Sequence, residues 1–335
     1  MRNAIKFFLL TLTLGLCGAA ASVPALGQNR QQPQPSPTPT TQDPEIVTTF
    51  IRRVRLPITV LDKKNVPVPG LTKEDFLIIE DKQSQTIETF SDESENIPLF
   101  VGILMDTSPS TAGKVKFEQE AAMNFIQTVI RPRKDRAAFL TFDDEVNLRQ
   151  DFTDRIDLLD KAVYSVKKVG KQTALYDAVW QFCNEKMRTA QGRRALVVIT
   201  DGDDTYSRAD LRDAIDIAQR TETVIFAIST KAGFLATVPG VEAGQVQDSG
   251  DRDLVKLCEE TGGMALFTGD MLALERAFKR IATELRAQYI LTYKPTNDRY
   301  DGSFRRIEVR LANGRDGLKV RTRKGYTAVA DTVRP

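Results

Sequence analysis

The order of apolar and polar positions divides the chain into segments of different period. From about residue 46 to residue 90 the period is two. Val54, Leu56, Ile58 and Val60 alternate with Arg53, Arg55, Pro57 and Thr59, as in half-buried strands. Asp62 to Asn65 reads as a turn, and residues 66–70 as a proline-broken edge or loop. Thr72 to Asp75 reads as a capped helical turn, and residues 76–80 and 86–90 as a hairpin about residues 81–83. From residue 98 to about residue 287, short apolar runs alternate with helical patterns. The strands expected are 99–105, 137–142, 195–200, 223–229 and 264–267, with 146–152 a more polar edge strand. The helices expected are 114–130, 155–168, 174–188, 208–220, 251–260 and 272–286. Several of these strands are apolar without alternation, the mark of burial on both faces. They predict a mostly parallel sheet covered by helices on both sides, with a ligand site at the carboxyl ends of its strands where strand order reverses. Period two then returns: Ile307, Val309 and Leu311 oppose Arg306, Glu308 and Arg310, and residues 289–293 and 318–322 also read as β.

Neither β segment is large enough to stand well alone. The expectation is one small β-sandwich built from both, with the α/β domain inserted between them. The predicted boundaries are 45–95 for the first β segment, 97–287 for the α/β domain and 288–327 for the last β segment. Ahead of them, residues 1–27 have the cationic start, apolar run and small residues of an export signal, and 28–44 form a linker rich in Pro, Gln and Thr. The apolar run is short for a membrane span. Acylation at Cys17 and an uncleaved anchor are the alternatives the same residues allow, and the membrane enters only through such an anchor. The expected location is therefore outside the cytoplasm, periplasmic or secreted. Cys183 and Cys258 fall on apolar-periodic stretches and read as buried thiols rather than a disulfide.

Charge and composition narrow the chemistry. Lys and Arg number 47 and Asp and Glu 45, and both surplus cations, Arg2 and Lys6, lie in the first 27 residues. The balanced remainder is unlike a nucleic-acid binder. The chain has no His. Ser-His-Asp and Cys-His catalysis and His-based zinc sites are therefore excluded.

One constellation carries chemistry. The first α/β strand runs into Asp106-Thr-Ser108-Pro-Ser110, where alternate side chains share a face and place three oxygens for a hard divalent cation. Thr173 precedes a helix, and Asp201-Gly202 ends another buried strand. All three features fall at one predicted edge of the sheet. Here the chain resembles the von Willebrand factor type A domain, whose metal-ion-dependent adhesion site has this pattern. The resemblance spans about residues 98–287. More narrowly, the chain is similar to the von Willebrand factor A-related proteins first noted in acidobacteria, through Pro69 to Phe76 before the domain and Tyr289 to Pro295, Asp301 to Ile307 and Arg323 to Tyr326 after it. The resemblance implies a Rossmann-like domain in which Ser108, Ser110 and Thr173 touch the cation through hydroxyls, and Asp106 and Asp201 hold it directly or through water. Two carboxylates only balance a divalent ion, so it keeps an open position for a Glu or Asp carboxylate of a partner protein. Mg²⁺ fits best, with Mn²⁺ and Ca²⁺ as alternatives.

Other motifs yield less. Asp143-Asp144-Glu145 reads as a solvated strand end rather than a carboxylate pair for glycoside hydrolysis, and Asp203 and Asp204 as a polar loop. Gly170 to Thr173 lacks parts of a phosphate loop, and Asp201 to Asp204 fails the EF-hand spacing. The basic tail from Arg299 to Lys324 reads as an outward strand face, and residues 231–250 as a long loop suited to partner specificity. Two functions stay open: an exported, non-enzymatic binding module working through the metal, and an envelope scaffold in which the metal is only structural. A metal-activated hydrolase is the residual reading.

Overall fold

The computed structural model describes residues 53–92, 96–111, 113–167, 170–200, 203–230, 248–267, 271–312 and 317–329. The expected signal, the linker, Asp201-Gly202 and residues 231–247 lie outside them. Four strands come first: β1 (Val54–Leu61), β2 (Phe76–Glu80), β3 (Gln83–Gln85) and β4 (Ile87–Ser91). The α/β part follows as β5 (Leu99–Asp106), α1 (Val115–Val129), β6 (Arg136–Phe142), β7 (Val146–Thr153), α2 (Ile156–Tyr164), α3 (Leu175–Glu185), β8 (Arg193–Thr200), α4 (Leu211–Arg220), β9 (Thr223–Ser229), α5 (Ser249–Thr261), β10 (Ala265–Phe267) and α6 (Met271–Arg286). The last strands are β11 (Tyr289–Tyr293), β12 (Phe304–Leu311), β13 (Lys319–Arg321) and β14 (Gly325–Thr327).

The central sheet has the order β10-β9-β8-β5-β6-β7. Every neighbouring pair is parallel except β6 and β7, so the polar strand expected at an edge is the antiparallel edge. Helices cover both faces. Val101, Ile103 and Met105 of β5 pack with residues of α1, α2 and α6, while Leu104 shares the opposite cluster with α3, α4 and α5. On that second face Phe182 lies against Gly102, where a Cβ would stand 2.2 Å from the ring. The chain leaves β5 for β6 on one side and later returns to β8 on the other. Strand order therefore reverses at the carboxyl ends of β5 and β8, which opens a crevice there.

The flanking strands form two antiparallel sheets, β13-β1-β11-β4 and β14-β12-β2-β3, around one core. Each sheet mixes strands from before and after the α/β domain, as the insertion reading requires. Glu80 of β2 is buried and accepts hydrogen bonds from Tyr293 Oη at 2.5 Å and Tyr326 Oη at 2.9 Å, so strands from both segments meet on one carboxylate. One expectation is corrected. β2 turns back into β3 through a two-residue turn, and the segment expected to complete that hairpin crosses to the other sheet as β4, beside β11. Asp81 (φ 47°) and Lys82 (φ 71°) are both left-handed, the geometry of a tight two-residue turn. Cys183 and Cys258 are free and fully buried, and burial pushes the Cys183 thiol up to about 12. Among the described residues no helix is long and apolar enough to cross a membrane.

The strand that carries the site is anchored at its other end by Asp135. This side chain is buried and accepts from Leu99 N (3.0 Å), Arg131 N (3.1 Å) and the Arg131 guanidinium (2.7 and 3.0 Å). Burial alone would raise its pKa, but the Arg131 side chain and the two backbone donors outweigh it and hold the carboxyl below its ordinary value. A depressed folded pKa gives stability that is full above the unfolded value, about 3.9, and is lost as pH falls through the folded value. Asp135→Asn should cost about 2 kcal/mol at pH 7. The same variant should lose less stability than wild type as pH falls below about 4, as measured by urea unfolding across that range.

Candidate metal centre

The crevice is lined by the loop that follows β5. Asp106, its last strand residue, is fully buried. Its Oδ1 accepts from Ser108 N at 2.8 Å, and its Oδ2 accepts from Thr200 Oγ1 at 2.6 Å. Thr200 ends β8, so the carboxylate is tied across the sheet to the strand that leads into Asp201. Past Asp106 the chain tightens into a single 3₁₀ turn, Pro109–Thr111. Thr111 Oγ1 closes that turn on Ser108 O at 2.9 Å. This turn brings Ser108 Oγ and Ser110 Oγ to 3.0 Å from each other, with Ser108 buried and Ser110 exposed. Two neighbouring oxygens of an octahedral Mg²⁺ shell with bonds of 2.0–2.1 Å lie about 3 Å apart, so the two hydroxyls have the spacing of one coordination edge.

Thr173 lies on the loop before α3. It is 4% exposed. Its N–H donates to Thr205 Oγ1 at 3.0 Å, and its carbonyl accepts from Thr205 N (2.9 Å) and Tyr206 N (3.0 Å). Gly170 N donates to Thr107 O at 2.8 Å and joins this loop to the first one. Asp106, Ser108 and Ser110 thus share one loop, and Thr173 lies on a loop bonded to it. Asp201 lies outside the described residues. Among the described residues no group of three or more His, Cys, Asp or Glu could hold a metal. The donor set here is of another kind, hydroxyl-rich with few carboxylates, which suits a hard cation that keeps part of its water.

Comparison with known proteins assigns the family. A model of the von Willebrand factor type A domain matches residues 101–280. The chain belongs to that family. No curated protein matches it. Solved structures similar to it include an aerotolerance-related membrane protein from Bacteroides fragilis, at 14% identity and a TM-score of 0.44, covering 56% of this chain and 98% of that one. Proximal thread matrix protein 1 from the mussel byssus, in a structure with a zinc-occupied MIDAS motif, is 14% identical with a TM-score of 0.45 over 61% of this chain and 48% of that one. The vWF domain of a type V pili tip protein from Porphyromonas gingivalis is 12% identical with a TM-score of 0.43 over 56% and 94%.

This von Willebrand factor A domain contains a network that sequence patterns did not reveal. Helix α3 has no side-chain cap of its own. Its first amides are capped by the loop after β8: Tyr176 N donates to Asp204 Oδ1 (3.3 Å) and Asp177 N to Ser207 Oγ (3.0 Å). In return Asp177 accepts from Arg208 N (3.1 Å) and Ala209 N (2.9 Å). With those two amides engaged, α4 begins at Leu211 behind its Asp210 cap, three residues later than periodicity predicts. Asp204, expected in a polar loop, is therefore a cap supplied by a different loop of the same chain. Tyr176 Oη donates to Asp253 Oδ2 at 3.1 Å, and burial together with the Asp253 charge raises the phenol above its ordinary pKa. The only advance signal was acidic and hydroxyl residues clustered after a strand end, which most loops also show. Asp204→Ala should cost about 1 kcal/mol in unfolding free energy. It should also speed hydrogen exchange at the Tyr176 amide, as read by NMR, while the amides of β5 stay protected.

Proposed function

We propose that this chain is an exported binding module that captures a partner protein through a divalent cation. Ser108, Ser110 and Thr173 would supply hydroxyl oxygens, and Asp106 and Asp201 would hold the ion directly or through water. When bound, the cation supplies an electrophilic coordination position for a Glu or Asp carboxylate of the partner. The chain's own groups set the rest. Asp106 is fixed in orientation by Ser108 N and Thr200 Oγ1, the paired hydroxyls of Ser108 and Ser110 add no charge, and the loops around Thr173 shape the rim. The observation that carries this reading is the convergence, at the crevice between β5 and β8, of a buried carboxylate with two hydroxyls at coordination spacing. Mg²⁺ is the ion best matched to that donor set, with Mn²⁺ and Ca²⁺ next. A non-enzymatic role accords with a chain that has no His to act as base. Placement in the acidobacterial von Willebrand factor A-related group is supported by the β-sandwich that holds Tyr289, Ile307 and Tyr326.

Calorimetric melting tests the metal. At a cation concentration 100 times Kd the native state gains about 2.7 kcal/mol. For a chain of 335 residues that corresponds to a rise of roughly 4 °C in Tm. Mg²⁺ or Mn²⁺ should produce it in the wild type, and Asp106→Ala should abolish it. Capture of an envelope protein should also fall on adding chelator. If Asp106→Ala lowers Tm but leaves capture intact, the metal is structural and the protein is an envelope scaffold that binds by another surface.

A further inference from the structure

The turn between β6 and β7, expected to be a solvated strand end, contains a residue that faces the other way. Asp144 and Glu145 are exposed, whereas Asp143 is half-buried with its carboxylate directed at the β5 loop. Asp143 Oδ2 accepts from Thr107 Oγ1 at 2.8 Å, and Oδ1 accepts from its own turn at Glu145 N, 3.0 Å. Thr107 is buried between Asp106 and Ser108. Its backbone is held as well, with N donating to Phe142 O (2.8 Å) and O accepting from Gly170 N (2.8 Å). The main chain of Asp143 reaches the second loop, because its carbonyl accepts from Ala174 N at 2.8 Å, one residue beyond Thr173. The approach is close. A Cβ on Gly170 would stand 2.3 Å from Asp143 Cβ, so only glycine fits there.

We propose that Asp143 is a positioning residue of the metal centre: its carboxylate clamps Thr107 and so sets the spacing of Asp106 and Ser108, while its main-chain carbonyl, kept in every variant, holds Ala174 beside Thr173. The proposal rests on the metal-binding reading above. Asp143 touches none of the proposed ligands, yet it is bonded to the residue between two of them and to the residue beside a third. Peptide planes are rigid, so a shift of Thr107 moves the groups on either side of it. Groups hydrogen-bonded directly to a metal ligand typically change metal affinity by about 10–100-fold when removed, and Asp143, acting one residue further out, should sit at the lower end of that range.

The test measures Mg²⁺ and Mn²⁺ binding to the full chain by titration calorimetry, and hydrogen exchange at the Gly170 amide in metal-free protein. Asp143→Ala should weaken Kd by about 10-fold and speed Gly170 exchange, with metal-free Tm close to wild type. Asp143→Asn, which keeps an oxygen acceptor for Thr107, should recover most of the affinity. Thr107→Val should lose as much as Asp143→Ala, and the double variant should lose no more than either alone. Wild-type affinity in Asp143→Ala would overturn the proposal. So would an Asn variant as weak as the Ala variant, because Asp143 would then act through charge rather than position. If the wild type binds neither ion, the metal-binding reading fails by itself. Gly170 exchange still judges the clamp in that case, and unchanged exchange in Asp143→Ala would refute it.

Discussion

A carboxylate buried at the end of a central strand is costly unless donors meet it, and Asp106 is met from two directions. Ser108 N reaches it from its own loop and Thr200 Oγ1 from the neighbouring strand. The second contact joins β5 to β8 at the point where strand order reverses, so the feature that opens the crevice also fixes the group lining it. The first contact folds the chain back on itself and brings two serine hydroxyls side by side. Removing the carboxylate would leave the Thr200 hydroxyl and the Ser108 amide without this acceptor. Loop shape and donor placement are thus one property of the site rather than two.

The parallel sheet supports this arrangement because its central strands are buried on both faces and held between two layers of helices. The sandwich restrains the domain from outside. Arg321 pairs with Glu284 of α6 at 2.5 Å, and Arg323 donates to Gln219 O at the end of α4 and to Arg55 O of β1. Both arginines belong to the basic tail that reads as an outward strand face. Arg323 is 7% exposed, so that reading fails at this position, where a cation turns inward and stitches the sandwich to the α/β domain through backbone carbonyls.

Much of the fold is legible in the sequence because burial on both faces removes alternation, as in Leu99 to Met105, and burial on one face imposes it, as in Val54 to Val60. Element ends are less legible, because they depend on partners distant in the chain. Periodicity carries α2 on to residue 168, but the helix stops at Tyr164, and Ser165 Oγ bonds back to Ala162 O. The strand after β3 keeps its apolar residues but joins the other sheet, where Phe90 of β4 stacks on Tyr289 of β11, a partner about 200 residues away that its own pattern does not announce. The proposed loop ligands are legible because Asp106, Ser108 and Ser110 lie two positions apart in one short stretch. Asp143 and Asp204 are not, since nothing in their neighbours announces that each will face a loop thirty or so positions away.

The two loops around Thr173 show how the proposed metal centre would gain affinity without more ligands. Thr173 exchanges backbone and side-chain bonds with Thr205, Asp204 and Ser207 supply the missing caps of α3, and Asp177 caps the return. Each of these contacts forms on folding, so the entropy of ordering the loops is lost then and not when an ion or partner arrives. A site with few charged donors gains most from this, because its Coulomb attraction for a cation is modest and a disordered rim would consume it. No His lies anywhere in the chain, so no imidazole titrates near neutral pH to disturb the balance. In the proposed metal-binding role, occupancy would follow cation concentration and loop geometry, and the loops are held by hydrogen bonds among hydroxyls, backbone amides and carboxylates.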